Sequence, residues 1–213
     1  MISKTNRLIL EERDFIIRFF KIHLLGLFRN IPTQELQYLS KLREKYRIET
    51  LYDRKSYLRR IDTIPVSLTL AQAAIESGWG KSRFVKEANN IFGHWTWGKK
   101  GIIPEGREDG KTHRIRIFDS LQNSVDEYAL NLNRHYAYRN FREAREKARE
   151  KNIVFSGMKA AETMLYYSEL REKYVKMLQK VMKDSKFFSY DEKITKGPLP
   201  LSLPSGSAPI LAQ

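Results

Sequence analysis

Hydrophobic positions recur along most of the chain at spacings of three, four and seven residues, the pattern of helices buried on one side. The stretch 66–76 departs from this pattern because it is apolar on nearly every side, which predicts a helix buried on most of its circumference. Only three positions before Glu76 are polar, namely Ser67, Thr69 and Gln72. Ser67 is the predicted N-cap, and glycines at 78 and 80 are expected to end the helix.

Amphipathic helices are predicted on both sides of this stretch. They cover residues 8–28, 32–46, 55–61, 81–88, 120–132, 138–151, 158–167 and 169–182. In the first of them, the side expected to be buried carries Leu8, Phe15, Phe19, Ile22 and Leu25. The chain is therefore predicted to be mainly helical.

Residues 89–119 have a different character, with recurrent glycines and β-branched residues. Residues 102–103 and 112–118 resemble strands, and 108–111 is a hairpin-turn signal. The sequence thus predicts a mainly α protein with a small β-hairpin lobe, an α+β fold class.

Three segments are expected along the chain. Residues 1–62 form an N-terminal helical extension packed on the core, and 63–184 form the main domain with a β-lobe at about 91–118. Residues 185–213 are expected to be a disordered tail, because four of the seven prolines follow Thr195.

Composition narrows the chemistry of the 213-residue chain. It has no cysteine, and its four histidines lack metal-ligand spacing, so no metal or cofactor is expected. The net charge of +14 favours an anionic partner: nucleic acid, an acidic membrane face or an anionic wall polymer. No transmembrane span is expected, since no apolar run reaches roughly 18 residues. Charged residues at 11–14 interrupt the only signal-peptide candidate, which leaves the export route open.

Glu76 is the main candidate for chemistry. It lies at the C-terminal end of a buried helix, where the dipole is negative and the surroundings are apolar. Both influences favour the protonated acid, which is the form that a general acid needs near neutral pH. The alternative is an exposed glutamate at a frayed helix end.

Several separated motifs, in order, resemble the bacterial glucosaminidase family, and within it the Bax branch. The general family motifs are residues 71–82 and 89–93, and the branch motifs are residues 60–65, 92–95, 110–113, 118–120 and 131–138. The family includes peptidoglycan hydrolases and the glucosaminidase domain of the flagellar rod-cap protein. The similarity extends from about residue 15 to residue 182.

This resemblance implies a lysozyme-like fold of two lobes with a substrate groove between them. It implies hydrolysis of the β-1,4 bond after N-acetylglucosamine in peptidoglycan glycan strands, with Glu76 as the catalytic glutamate, and a place in the bacterial cell envelope. The alternative is a wall-binding or assembly module that keeps the fold and has little catalysis.

Two further catalytic candidates follow from the family. Many members carry a second glutamate in the β-lobe, for which Glu108 is the nearest candidate, followed by Glu105 and Asp109. Glu108 is expected to act as base or stabiliser, or else to be a solvated turn residue. Tyr167 matches the family's C-terminal tyrosine, which faces the catalytic glutamate across the cleft; the alternative is a core tyrosine.

Aromatic and amide side chains supply the substrate-binding candidates: Trp79, Asn89, Asn90, Phe92, Trp95 and Trp97. Sugar rings present apolar faces that pack on aromatic planes. Trp95 and Trp97 are the stronger candidates, because Trp79 and Phe92 are also expected to close the helix end as core residues. The two asparagines fit either N-acetyl recognition or turn formation.

The basic run at 139–151 is expected to be a solvated helix face. Together with the net charge it fits attachment to anionic wall polymers, which high salt should weaken in a sedimentation assay. Specific nucleic-acid binding is not expected, because no reader motif is present.

Overall fold

The computed structural model describes residues 1–104, 107, 110–165 and 167–191. Over these residues the chain forms nine α-helices, a short 3-10 turn and one two-stranded antiparallel sheet. The helices are α1 (Ile2–His23), α2 (Thr33–Tyr46), α3 (Arg54–Arg60), α4 (Val66–Glu76), α5 (Arg83–Ala88), α6 (Leu121–Arg134), α7 (Arg139–Glu150), α8 (Gly157–Glu162) and α9 (Glu172–Asp184). The strands are β1 (Trp95–Thr96) and β2 (Arg114–Ile115), and the 3-10 turn is Tyr136–Tyr138. The predicted class, mainly α with a small β-lobe, is confirmed.

Helix α4 lies at the centre of the helical part, packed against α8, α9 and α1. Its contact with α8 is so close that a Cβ atom on Gly157 would lie 1.9 Å from Ser67 Oγ. Ser67 is not the N-cap that the sequence predicted, because the helix begins at Val66 directly after Pro65. The Ser67 hydroxyl instead donates to Asp191 Oδ2 at 2.5 Å, inside the protein.

The contacts of Asp191 show that the predicted start of the tail, at residue 185, is too early. Its carboxylate is buried and accepts hydrogen bonds from the amides of Ser67 (3.0 Å) and Gly157 (2.7 Å). Residues 185–191 therefore belong to the packed structure, and the rest of the predicted tail lies outside the described residues.

Helix α1 buries a different side from the one predicted. The buried apolar residues are Ile2, Ile9, Ile16, Phe19 and Phe20. Of the predicted stripe, Phe19 is buried and Phe15 is half-buried, whereas Leu8, Ile22 and Leu25 are exposed, the last to 90%. The helix has apolar residues on two sides, and its packing against α3 and α6 decides which side is covered.

The β-lobe is centred on β2. Trp95 and Thr96 pair with Ile115 and Arg114, while Ile102 forms a single antiparallel bridge to Ile115 from the other side. The sequence predicted Ile102 as a strand residue but missed β1. Of the hairpin turn predicted at 108–111, residues 108 and 109 lie outside the described residues.

Helix α7 is less solvated than its charge predicted, because two of its arginines are buried. Arg142 donates to the carbonyl oxygens of Leu132 (2.9 Å) and His135 (2.7 Å). Arg145 donates to those of Asp62 and Thr63, each at 2.9 Å. A guanidinium group can be buried when its fixed donors meet such acceptors. Burial, with neighbouring arginines contributing, lowers the pKa of Arg142 to about 10.

Candidate active site

Glu76 is the last residue of α4, and the chain turns sharply after it. Gly78, Trp79 and Gly80 all have left-handed backbone conformations, with φ of +56°, +58° and +77°. Ser77 fixes this turn, because its hydroxyl donates to the carbonyl oxygen of Ala73 (2.5 Å) and accepts from the Gly80 amide (2.8 Å). The predicted helix stop at the glycines is confirmed. Glu76 is left half-buried at the end of the helix.

A chain of hydrogen bonds leads to Glu76 through the core. The Tyr128 hydroxyl donates to Gln72 Oε1 at 2.5 Å, and Gln72 Nε2 donates to the Tyr174 hydroxyl at 3.1 Å. The Tyr174 hydroxyl then donates to Glu76 Oε1 at 2.7 Å. Because Gln72 donates to the oxygen of Tyr174, the phenol proton of Tyr174 is directed to the carboxyl group. Tyr128, Gln72 and Tyr174 are buried, so this direction is fixed by the fold.

Two further tyrosines extend the wall beside Glu76. The ring of Tyr167 stacks on that of Tyr174, with centroids 5.4 Å apart and planes at 5°, and the Tyr138 ring lies 6.0 Å from that of Tyr167. Burial, reinforced by the Glu76 charge, raises the pKa of Tyr138 to about 12. Burial and the same charge also raise the pKa of Tyr167 and Tyr174, so these phenols stay protonated.

These surroundings raise the pKa of Glu76. Burial is the larger influence and disfavours the carboxylate, while the hydrogen bond from Tyr174 acts in the opposite direction and is outweighed. Among the described residues these are the two influences on the Glu76 pKa. The arrangement is that of an acid that retains its proton at a higher pH than a solvent-exposed glutamate.

The loop between α5 and β1 is shaped by the two predicted asparagines. Asn89 ends α5 in a left-handed conformation and donates to the carbonyl oxygen of Phe118 at 3.0 Å. Asn90 donates to the carbonyl oxygens of His94 (2.9 Å) and Arg116 (2.8 Å) and accepts from the His94 amide (3.0 Å). Both amide groups are thus engaged in forming the turn, which was the alternative to N-acetyl recognition.

Phe92 connects this loop to the site. It is buried, and its ring stacks on Tyr128 with centroids 4.0 Å apart and planes at 12°. Tyr128 is the first residue of the hydrogen-bonded chain that ends at Glu76. The loop that leads to β1 and the Glu76 carboxyl group are therefore both connected to Tyr128. Nearby, burial lowers the pKa of His94 to about 4, which leaves its imidazole neutral at physiological pH.

The three tryptophans are all exposed. Trp79 is 62% exposed, so the expectation that it closes the helix end as a core residue is wrong; its left-handed backbone turns the side chain outward. Trp95 and Trp97 are 55% and 72% exposed, and Trp95 stacks on His113 at 4.3 Å. Exposed indole faces of this kind are available to bind a sugar ring.

The predicted second carboxylate, Glu108, lies outside the described residues, as do Glu105 and Asp109. The sequence reasoning missed Gln72 and Tyr174 as partners of the acid. One signal was present for Gln72, which is a polar residue in an apolar helix, one turn before Glu76. Tyr174 carried no signal beyond lying seven residues after Tyr167, the residue that matches the family's C-terminal tyrosine.

Comparison with known proteins identifies the chain. Residues 54–194, which make up 141 of the 213 residues, match the glucosaminidase family model, described as mannosyl-glycoprotein endo-beta-N-acetylglucosaminidase. Protein bax of Escherichia coli (strain K12) is 40% identical over 93 residues, equal to 44% of this chain and 32% of that protein. The match therefore spans about a third of the curated relative.

Comparison with solved structures gives no significant match. Across the described part of the chain, no helix combines the length and the apolar character needed to cross a membrane. The motifs around Glu76 and the three tyrosines beside it (Tyr138, Tyr167 and Tyr174) lie between the start of α4 and the end of α9. All of these segments are within the matched region. The chain belongs to the glucosaminidase family, in the branch of Protein bax.

Proposed function

We propose that this protein is an endo-β-N-acetylglucosaminidase that hydrolyses the β-1,4 bond after N-acetylglucosamine in peptidoglycan, with Glu76 as general acid. The observation that carries the proposal is the position of Glu76: it ends a buried helix, its pKa is raised, and Tyr174 orients its carboxyl group. Membership of the glucosaminidase family supports a glycan-hydrolase role. A cell-envelope location, periplasmic or wall-associated, follows from this substrate.

The hydrogen bond from Tyr174 assigns different roles to the two carboxyl oxygens of Glu76. Oε1 accepts from the phenol, so the acidic proton resides on Oε2. Oε2 would donate this proton to the leaving glycosidic oxygen as the bond breaks. The phenol then stabilises the carboxylate that forms, because a hydrogen bond to a charged acceptor is stronger than one to a neutral acceptor. Tyr174 is therefore proposed as a positioning residue for the acid.

The second half of the reaction needs a group that activates water or stabilises positive charge on the sugar. We retain Glu108 for this role and Tyr167 as a tyrosine that lines the cleft. A carboxyl separation of about 5–5.5 Å would give retention and one of about 6.5–9.5 Å would give inversion.

For substrate binding we favour the exposed indoles of Trp79, Trp95 and Trp97 as stacking surfaces. Phe92, Asn89 and Asn90 are proposed to hold the loop that carries Trp95, since their polar groups or rings are engaged within the protein. This division assigns the three tryptophans to substrate contact and Phe92 and the two asparagines to support of the loop.

A second candidate function is a wall-binding module with little catalysis. It is motivated by the sequence, because Glu108 does not reproduce the family's spacing for the second glutamate. Exposed tryptophans would serve such a module equally well.

The two functions are separated by analysing what the wild-type protein releases from purified sacculi. We expect soluble fragments whose new reducing ends, marked by borohydride reduction and identified by mass spectrometry, are N-acetylglucosamine. Reducing ends on N-acetylmuramic acid would contradict the proposed bond. Sedimentation with sacculi without any released fragment would establish the binding module instead.

Tyr174→Phe is expected to move the alkaline limb of the pH–activity profile to higher pH. The substitution removes the hydrogen bond that lowers the Glu76 pKa, so burial acts alone and the pKa rises further. A general acid works below its pKa and fails above it, so the limb moves with the pKa. The measurement is the initial rate of reducing-end release from sacculi across a range of pH.

Tyr167→Phe is the matched control for this shift. It removes a phenol hydroxyl from the adjacent stacked ring, but the described hydroxyl bonded to Glu76 belongs to Tyr174. The alkaline limb should stay in place in this variant even if its rate falls. An unchanged or downward-shifted limb in Tyr174→Phe would contradict the assigned direction of the hydrogen bond.

A further inference from the structure

The C-terminal part of α1 and the turn after it expose apolar side chains. These residues, called the apolar tip, are Ile17, Ile22, Leu24, Leu25 and Leu27, in the last two turns of α1 and the turn after it. Leu25 and Leu27 are 90% and 73% exposed. At about 100° per residue, Ile17 and Ile22 lie at the two edges of the exposed face of α1, while Phe19 and Phe20 lie on its buried face.

The turn after α1 holds Leu27 outward. Phe28 fixes the turn to the core, because its ring stacks on Tyr52 at 4.4 Å and meets Phe20 edge-on at 5.9 Å. Its amide also donates to the carbonyl oxygen of His23 at 2.9 Å. Leu27 has a φ of +50°, which is unfavourable for a leucine. Leu27 therefore has an unfavourable backbone conformation although its side chain is largely exposed. This combination points to a role for Leu27 outside the core.

Positive charge surrounds the apolar tip. Arg18, Lys21 and Arg29 are exposed, and they form no ion pair within the described part of the chain. No acidic residue occurs between Asp14 and Glu35. Glu35 is itself bound to His23, with its Oε2 2.8 Å from Nε2. The tip therefore combines uncovered apolar surface with three uncompensated cations.

We propose that the apolar tip docks on the surface of an anionic lipid bilayer. The leucines would enter the boundary between headgroups and acyl chains, and the three cations would lie at the level of the lipid phosphates. Charge complementarity selects this partner over a second copy of the chain, since two facing tips would bring six like charges together. This inference is independent of the proposed glycan cleavage.

Sedimentation of the full chain with lipid vesicles tests the proposal. We expect binding to vesicles of phosphatidylcholine and phosphatidylglycerol in equal parts, weakened by salt, and little binding to phosphatidylcholine alone. Leu25→Ser with Leu27→Ser should weaken binding at least about tenfold, because two apolar anchors are lost. Arg18→Gln, Lys21→Gln and Arg29→Gln should each weaken it about fivefold.

Matched variants at other exposed positions test whether vesicle binding depends on the apolar tip or only on exposed apolar surface and net charge. Ile153→Ser with Val154→Ser removes two other exposed apolar residues, and Lys147→Gln, Lys151→Gln and Lys176→Gln remove three other exposed cations. These variants should bind vesicles like wild type, and circular dichroism should show the same helix content in all. Equal losses in control and tip variants, or no binding to anionic vesicles, would overturn the proposal. Analytical ultracentrifugation tests the other occupant. If the protein self-associated without binding vesicles, and only the leucine variant abolished this self-association, the apolar tip would be a contact surface for a second copy of the chain.

Discussion

Glu76→Gln is expected to reduce the release of glycan fragments from sacculi by about 10²–10⁴-fold, the contribution of a well-placed general acid. Glutamine has nearly the same size, and its Oε1 can still accept the hydrogen bond from Tyr174. It carries no acidic proton for the leaving oxygen. The measurement is the initial rate of reducing-end formation by both proteins on the same preparation of sacculi.

Stability distinguishes loss of chemistry from loss of fold. Because the folded protein raises the pKa of Glu76 above its ordinary 4.5, folding favours the protonated acid. Wild-type stability therefore falls as the pH rises from about that ordinary value through the folded pKa. Glutamine stays neutral, so the variant should be at least as stable as wild type to urea at neutral pH. A residue needed for the fold would show the opposite.

Glu162→Gln serves as the control for removing a carboxylate. Glu162 is exposed at the end of α8, where it pairs with Lys159 at 3.3 Å. Its replacement should leave the rate within about twofold of wild type, since exposed ion pairs contribute little. If Glu76→Gln digested sacculi as fast as wild type, Glu76 would not be the acid.

Helix positions that depend only on neighbouring residues were predicted from the sequence. The apolar stretch 66–76 with its following glycines specifies a buried helix and its end, so α4 and the position of Glu76 were predictable. The helix predicted from residue 120 is likewise present as α6, whose first turn is capped by the Ser120 hydroxyl. The burial of α1 was not predictable, because both of its sides are apolar. Only the packing partners show that Phe20 faces inward and Ile22 outward.

Contacts between distant residues explain the other differences. Gln72 and Tyr174 are 102 positions apart, and no spacing along the sequence indicates that their side chains bond. Arg142 and Arg145 belong to a charge run typical of a solvated surface. They are buried because carbonyl acceptors from other segments, such as those of Leu132 and Asp62, meet their guanidinium groups. Such acceptors exist only once the helices have assembled.

Asp62→Asn is expected to lower the free energy of unfolding by about 3–5 kcal/mol, the cost of removing one partner from a buried ionic cluster. Asp62 is buried between α3 and α4 and faces three guanidinium groups. Arg149 donates two hydrogen bonds to its carboxylate, while Arg13 and Arg145 lie 3.6 Å and 3.9 Å from Oδ2. Asparagine has the same shape but leaves these cations without a counter-charge. Urea unfolding at neutral pH measures the loss.

The pH dependence of stability provides an independent test of the same cluster. Burial opposes ionisation of Asp62, but the hydrogen bond from Arg149 and the charges of Arg145 and Arg13 outweigh it and lower the Asp62 pKa. Its contribution is therefore fully present above the ordinary value of 3.8 and is lost as the pH falls from there through the folded pKa. Asp62→Asn should lack this part of the acid destabilisation, so the two stability curves should converge at low pH.

Asp184→Asn is the matched control, because Asp184 pairs with Lys180 at 2.6 Å on the exposed side of α9. It should cost less than about 1 kcal/mol. A similarly small cost for Asp62→Asn would show that the cluster is not needed. A large cost would show that this carboxylate helps to hold the predicted extension, residues 1–62, on the main domain. Arg13 comes from α1 and Arg145 and Arg149 come from α7, so Asp62 joins helices on both sides of that predicted boundary. In that case wild type should unfold in one transition that includes α1, because the segments share this buried charge.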